Sequence, residues 1–301
     1  MTEPKVVFVF PAFASDYRNE ESYPLPGFLS VLHGLIDDAS LFVDPVLKEF
    51  HPLDNNFLDH ELRNQYMAYI FGCAVSGYLK ERNVIPDIFS GLSMGLYAAL
   101  KESGALSFRN GLNLIRQAYL EIEEITREQE YTMGKVIGLN ERDIMNLIEL
   151  TDPSTQITNQ MAEYSFVFSG RKPSVERVLQ LAKEEGAFHT GILNTSKPYH
   201  SAFLEKTAAR FEPFVRNLDI RQPPIPILSV IDQHTLHTKE HVISEIIRNL
   251  FRPFNWYKTQ LRLQEMSISD FIECGPSKSL AKNARFIPGP GKFFAWNSYT
   301  G

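Results

Sequence analysis

Apolar runs alternate with longer amphipathic stretches along this chain, and the alternation predicts strands and helices in turn. The run KVVFVFPAF (5–13) is typical of a buried strand, and it stops at a proline where the backbone must turn. NQYMAYIFGCAVSGYLKER (64–82) has the length and period of a helix, NVIPDIFSG (83–91) indicates a short parallel strand, and LYAALKESG (96–104) predicts another helix. We therefore expect a βα unit with GLSMG (91–95) at its corner.

The pattern changes at about Tyr131. From there the order of predicted elements is strand, helix, strand, strand, helix, strand, which is the βαββαβ order of a ferredoxin-like unit. After Pro198 the larger α/β pattern resumes, with further strands in IPILSVID and DFIECG. The sequence thus predicts an α/β fold whose core comprises residues 1–130 and 198–301, with a small subdomain inserted at 131–197.

Composition limits the function classes. A chain of 301 residues with 44% hydrophobic residues can bury one large core and a second small one. The formal net charge of -6 argues against a nucleic-acid partner, which normally requires a basic excess. Cys73 and Cys274 are the only cysteines and lie far apart in apolar segments, which disfavours both a disulfide framework and a zinc cluster. No run reaches the roughly 18 apolar residues of a membrane span. We expect a soluble cytoplasmic protein without a membrane partner.

Ser93 in GLSMG is a candidate nucleophile. A serine attacks a carbonyl when its hydroxyl is exposed, lies near a base and lies beside donors for the developing oxyanion. A sharp turn from strand to helix provides this arrangement, and Gly91 and Gly95 would let the strand and helix approach each other. The alternative is an ordinary serine, because a G-x-S-x-G string also arises by chance in roughly one chain of this size in ten.

His200 in NTSKPYHSAFLEKTAARF is the candidate base. Pro198 and the amphipathic pattern that follows predict a helix N-terminus at this histidine, where the helix dipole disfavours the imidazolium and keeps the ring neutral. A histidine at a helix start without chemistry is the alternative. The group His234, His237 and His241 has loosely metal-like spacing but no acidic or cysteine partner of matching period, so we interpret it as a solvated turn.

Arg116 is predicted on an apolar stripe with Leu112, Ile115, Tyr119 and Ile122, by the i, i+3, i+4, i+7 rule. A guanidinium on such a stripe needs an anion. Two explanations remain open from the residues alone, namely a buried structural carboxylate or a ligand carboxylate held by two hydrogen bonds.

Several segments together resemble the malonyl-CoA:acyl-carrier-protein transacylases over nearly the whole chain. These segments occur in the family's order and approximate spacing: VFVFPAFASDY, GLSMGLYAAL, GLNLIRQAYLEI, KPYHSAFL and FIECGPSKSLAKNARFI. The resemblance implies an α/β-hydrolase-like core with a parallel sheet and an inserted ferredoxin-like subdomain. It also implies transfer of a malonyl or related carboxylated acyl group from coenzyme A to an acyl carrier protein, in fatty-acid or polyketide biosynthesis.

The resemblance assigns a role to each motif residue. Ser93 would carry the acyl group as an ester, and His200 would deprotonate Ser93 and then the incoming thiol. A main-chain carbonyl at about Asn249 would orient the imidazole. Arg116 would pair with the free carboxylate of malonyl and so select against acetyl. No metal and no bound organic cofactor are implied, since the coenzyme A thioester is itself the substrate.

The amides of Met94 and Phe13 would form the oxyanion hole under the same resemblance. Phe13 stands where the family has glutamine, and Leu92 stands where it has histidine. Both replacements make the expected substrate-binding pocket more apolar, and they suggest a specialised branch of the family.

The partner implied by the resemblance is an acidic carrier protein, which predicts a basic surface near the active-site mouth. Lys278, Lys282 and Arg285 fall at i, i+4, i+7, and Lys197 lies close to the candidate base in sequence. The alternative for this cluster is a solvated helix face. For the whole chain, two alternatives to transfer remain: an acyl-thioester hydrolase of the same fold that clears carrier proteins, and a non-catalytic scaffold that only binds the carrier.

Overall fold

A computed structural model describes residues 5–12, 17, 25, 27–51 and 54–299. The strands in chain order are β1 (Val6–Phe10), β2 (Ile88–Gly91), β3 (Tyr131–Ile137), β4 (Gln156–Ala162), β5 (Ser165–Arg171), β6 (His189–Ile192), β7 (Ile227–Leu228), β8 (Thr235–Leu236), β9 (Phe254–Asn255), β10 (Asp270–Glu273) and β11 (Lys292–Ala295). The helices are α1 (Phe28–Phe42), α2 (Asn55–Asp59), α3 (Glu61–Lys80), α4 (Gly95–Glu102), α5 (Phe108–Thr126), α6 (Glu141–Thr151), α7 (Lys172–Glu184), α8 (Glu205–Arg216), α9 (Lys239–Phe251), α10 (Trp256–Glu265) and α11 (Ser279–Ala284). Short 3-10 turns cover 45–49, 202–204 and 296–298.

The larger sheet has six strands in the order β11-β10-β1-β2-β7-β8. All neighbours are parallel except β7 and β8. Every residue of β1 and of β2 is buried, as expected for central parallel strands that are covered on both faces. The predicted α/β class with a parallel sheet is therefore confirmed.

The smaller sheet has the strand order β6-β3-β5-β4-β9. Its first four strands and the helices α6 and α7 follow the βαββαβ chain order to which the name ferredoxin-like applies. The fifth strand, β9, comes from the C-terminal part of the chain and pairs with β4 in parallel, Asn159 opposite Phe254. The boundaries at 131 and 197 remain a proposal, since the small sheet itself extends across them.

Local sequence explains where several elements begin. The Ser107 hydroxyl accepts from the Asn110 amide at the start of α5, and the Asn140 side chain accepts from the Asp143 amide at the start of α6. Of the predicted strand 83–91 only the last four residues form β2, because Pro86 has no amide to donate to a neighbouring strand. Within the described ranges, none of the helices combines the length and the apolar character needed to cross a bilayer.

Candidate active site

Ser93 lies on a strained turn between β2 and α4. Its φ of 55° is in the left-handed region, which residues other than glycine rarely adopt. The close approach of strand and helix depends on two glycines, because a Cβ at Gly91 would collide with the main chain of Gly95, and a Cβ at Gly95 would collide with the Phe10 carbonyl. This geometry is what the G-x-S-x-G pattern predicts when it follows a strand and precedes a helix.

His200 lies within hydrogen-bonding distance of Ser93, with 2.7 Å between Nε2 and the serine Oγ. The predicted helix start is wrong in detail, because α8 begins only at Glu205 and His200 occupies a turn with a φ of 60°. The turn is fixed by the His200 amide, which donates to the Leu250 carbonyl at 2.9 Å. The imidazole is buried and meets the edge of the Phe254 ring at a centroid distance of 4.6 Å.

Burial lowers the pKa of His200 from 6.5 to about 4, because the charged imidazolium would lose its hydration. The main chain of Asn249 opposes this lowering. Nδ1 nevertheless makes no bond of good hydrogen-bonding geometry with the part of the chain that the structure describes. The neutral ring thus results from desolvation rather than from the helix dipole that the sequence suggested.

Asn249 links the two residues of the pair. Its side-chain amide donates to the Ser93 carbonyl at 3.2 Å, while the next residue along α9 receives the His200 amide. The sequence predicted a main-chain role for Asn249 and missed this side-chain contact, which no local pattern encodes. Met94 directly precedes α4, and its amide makes no hydrogen bond to the described residues, so it is available to an oxyanion. Phe13, the other predicted donor, lies outside the described residues.

A cavity of about 240 Å³ opens beside the pair, between the large and the small sheet. A narrower pocket of about 20 Å³ continues from the same two residues toward α5. The cavity is lined by Ala12, Asn64, Leu92, Ser93, Met133, Asn159, Val167, Leu193, Asn194, Thr195, Tyr199, His200 and Phe254. Leu92, whose role in binding stays a prediction, lines the cavity, and the Asn159 side-chain carbonyl is buried there without a partner among the described residues.

Arg116 is exposed and lines neither the cavity nor the narrow pocket, which contradicts the predicted buried position. The buried side of α5 carries Ile115, Ala118 and Ile122 instead. Two residues along a helix correspond to a rotation of roughly 200°, so Arg116 and Ala118 point in nearly opposite directions. Ala118 occupies the place in the narrow pocket where the sequence analysis expected the arginine.

Lys197 is buried, so the prediction that it belongs to a basic surface is wrong. Its Nζ donates to the Thr126 hydroxyl at 3.2 Å, lies 3.7 Å from a Glu123 carboxylate oxygen and lies 5.5 Å from the centre of the Tyr119 ring. The cause is tertiary, since the segment before His200 packs against the last turns of α5. Lys278, Lys282 and Arg285 are exposed, as predicted, and line a groove beside α11.

Sequence reasoning missed a polar network behind the pair. The Tyr199 hydroxyl donates to Glu61 at 2.7 Å and accepts from the Gln65 amide at 2.8 Å. Thr195 also donates to Glu61, at 3.0 Å. Tyr199 lines both the cavity and the narrow pocket, and its position directly before His200 was the one available signal.

In the described part of the chain, no group of three or more histidine, cysteine or acidic residues could hold a metal ion. Cys73 and Cys274 are both buried as free thiols.

Several known proteins are similar to this chain, although no protein-family model matches it. The malonyl CoA-acyl carrier protein transacylase of Bacillus subtilis (strain 168) is 29% identical over 214 residues, which cover 69% of this chain and 67% of that protein. Alignments with the next two curated relatives cover 63% and 51% of those proteins.

Similarity in structure extends further along the chain than similarity in sequence. The malonyl CoA-acyl carrier protein transacylase from Coxiella burnetii superimposes with a TM-score of 0.86 at 25% identity, covering 98% of this chain and 94% of that one. A malonyl-transacylase solved in complex with a type II PKS acyl-carrier protein gives a TM-score of 0.84 at 20% identity, covering 98% of this chain and 96% of that one.

Proposed function

We propose that this chain, which belongs to the malonyl CoA-acyl carrier protein transacylase family as a divergent member, is an acyltransferase. It would move an acyl group from coenzyme A to the phosphopantetheine thiol of an acyl carrier protein, through an ester on Ser93. The observation that carries this proposal is the 2.7 Å contact between the Ser93 hydroxyl on its strained turn and His200.

The first half of the reaction uses His200 as a base. Nε2 takes the hydroxyl proton while Ser93 Oγ attacks the thioester carbonyl, and the negative charge on the carbonyl oxygen faces the Met94 amide. The carbon–sulfur bond then breaks, the coenzyme A sulfur takes the proton from His200, and the acyl group remains on Ser93. In the second half, His200 takes the carrier thiol proton, the thiolate attacks the ester, and the proton returns to Ser93.

Malonyl-CoA is supported as a donor, and a carrier protein as the acceptor, by the names of the related proteins. The exposed groove with Lys278, Lys282 and Arg285 supports an acidic acceptor. It lies beside α11, which contacts β4, the strand that supplies Asn159 to the cavity. No resident cofactor is needed, because the thioester supplies the activated acyl group.

Intact-protein mass spectrometry after rapid mixing with malonyl-CoA or acetyl-CoA tests the proposal. We expect an acyl adduct on the wild-type protein that the Ser93→Ala variant cannot form and that holo carrier protein discharges. Ser40→Ala is the matched control, since Ser40 lies in α1 and lines neither the cavity nor the narrow pocket. A folded wild-type protein that neither forms an adduct nor releases free acid would overturn acyl transfer and leave the non-catalytic scaffold.

Hydrolysis of acyl thioesters is a second candidate, favoured by the apolar side chains of Leu92, Met133 and Phe254 around the cavity. Such a lining suits neutral acyl chains whose ester would then be attacked by water. The two reactions differ in how the adduct decays. A hydrolase loses its acyl group to water at the same rate with or without carrier protein, whereas a transferase needs the carrier thiol.

A further inference from the structure

The described side chains around the acyl position of Ser93 carry no formal charge. The larger cavity is lined by apolar, amide and hydroxyl side chains together with the neutral His200. The narrow pocket next to the serine is similar in character, with a lining of Gln65, Ser93, Met94, Tyr97, Ala118, Tyr119, Ile122, Tyr199, His200, Asn249 and Leu250. An acyl group on Ser93 therefore meets an uncharged surface in this part of the protein.

Among the described residues, Arg116 and Lys197 are the cations of α5 and of the segment packed against it, and neither lines the cavity or the narrow pocket. Arg116 is exposed on the opposite side of α5 from Ala118. Lys197 lies behind the Tyr119 ring, where Thr126 and Glu123 already occupy its ammonium group. The carboxylate of Glu123 partly offsets the attraction that Lys197 would exert on a substrate carboxylate.

Among the described residues, the carboxylate of Glu61 lies directly behind the wall of the site, and its negative charge repels a carboxylated substrate. Glu61 accepts from the hydroxyl of Tyr199 at 2.7 Å, and Tyr199 forms part of the wall of both cavities. The negative charge is thus one side chain away from the acyl position. A free carboxylate on the substrate would lose its hydration, meet no cation among the described residues that line either pocket, and be repelled by Glu61.

We infer that Ser93 accepts short uncharged acyl groups, such as acetyl and propionyl, at least as readily as malonyl. The inference rests on the proposed acyl transfer and specifies its substrate class. Ala118 is the specificity-determining position, because its small side chain leaves the narrow pocket of about 20 Å³ without a cation. Met94, Tyr119 and Ile122 also line this pocket.

A competition experiment tests the inference. Equal concentrations of malonyl-CoA and acetyl-CoA are mixed with the protein, and the mass of the Ser93 adduct, with any released free acid, reports which group was accepted. We expect acetyl products to equal or exceed malonyl products in the wild type. In Ala118→Arg, whose guanidinium would enter the narrow pocket, we expect the malonyl-to-acetyl ratio to rise at least about tenfold.

Three further results would distinguish the possible failures. A predominance of malonyl in the wild type overturns the inference and leaves acyl transfer intact. A selective loss of malonyl loading in Arg116→Ala or Lys197→Met also overturns the inference and leaves acyl transfer intact. Such a loss would identify the replaced residue as the cation that pairs with the substrate carboxylate. Products from neither donor in a folded protein overturn the proposed function itself. If Ala118→Arg does not fold, the wild type and these two variants still decide the question.

Discussion

At the scale of single residues, the chemistry depends on one short contact and on the burial of its base. His200 is neutral because its ring is desolvated, so it keeps the form that accepts the Ser93 proton over a wide pH range. An exposed histidine would instead lose this form below about pH 6.5.

The pH profile of Ser93 acylation follows from that pKa. Because the folded-state pKa is lowered to about 4, we expect the acylation rate to stay constant from pH 8 down to about 5 and to fall with an apparent pKa near 4. The donor should be an N-acetylcysteamine thioester, which carries no ionisable phosphate, and the adduct should be quantified by mass. An inflection near 6.5 would contradict the assignment of His200 as a desolvated base.

Gly91 tests the close approach of β2 and α4. A methyl group there meets the main chain of Gly95, and backbone cannot move aside as a flexible side chain can. We expect Gly91→Ala to lower the free energy of unfolding by more than about 2 kcal/mol and to reduce acylation at least about tenfold. Gly34→Ala is the control, because nothing lies within 4 Å of its added methyl group and alanine favours the helix. Equal effects of the two substitutions in urea unfolding would refute the argument.

At the scale of elements, the site depends on where helices end and which of their faces are buried. The turn after β2 presents the nucleophile, α9 holds both the nucleophile and the base through Asn249 and Leu250, and α5 sets the character of the acyl pocket. The six-residue helix α11 is attached to the core by the buried Glu273, which accepts from the Leu280 and Ala281 amides. Lys282 on this helix and Arg285 directly after it are exposed.

Charge reversal on α11 tests the proposed carrier contact. Lys282→Glu combined with Arg285→Glu should raise the KM for an acidic carrier protein about tenfold at low salt, because complementary charge accelerates association. Acylation of Ser93 by the phosphate-free thioester should be unchanged. A variant with Lys183→Glu and Lys239→Glu has the same net charge but alters exposed lysines of α7 and α9. If both variants raise the KM equally, the change is due to net charge alone, and the proposed contact at α11 is contradicted.

At the scale of the whole molecule, two sheets enclose one site. The interior also contains a buried titratable group outside that site. Residues from the small sheet, among them Met133 and Val167, complete a cavity whose nucleophile belongs to the large sheet. Glu245 on α9 is buried and accepts from the Ser229 hydroxyl at 2.6 Å. Burial raises its pKa from 4.5 to about 7, although Ser229 and Arg248 oppose the change.

Glu245 should therefore contribute stability that decreases with pH, opposite in sign to the contribution of His200, whose lowered pKa makes stability rise between about pH 4 and 6.5. Between about pH 4.5 and 7 the folded protein holds a proton on Glu245 that the unfolded chain has released, so raising the pH favours unfolding by up to about 3 kcal/mol. Urea unfolding at pH 5 and pH 8 measures the difference. Glu245→Gln should remove this part of the pH dependence, whereas the exposed Glu240→Gln should not. If the difference persists unchanged in Glu245→Gln, another group causes it.

Local sequence was sufficient for the βα unit around GLSMG and for the βαββαβ order of the small unit. Continuous apolar runs such as β1 cannot face water on either side, and the spacing of Gly91, Ser93 and Gly95 demands a tight turn wherever a strand leads into a helix. The candidates Ser93 and His200 could be named for the same reason, since each was tied to a recognisable local pattern. The distance of 2.7 Å between their side chains could not be predicted, because the two residues are 107 positions apart in the sequence.

What the sequence by itself determined is thus the α/β class, the βαββαβ order of the small unit and the nucleophile on its turn. The tertiary structure alone decided which side of α5 faces the site, placing Ala118 inward and Arg116 outward, and it buried Lys197 against Glu123. Because a helix repeats every 3.6 residues, the sequence pattern alone does not decide which of two neighbouring positions faces inward. That is decided only when another element packs against the helix. Charge and size at the acyl site are therefore properties of the packing between distant segments.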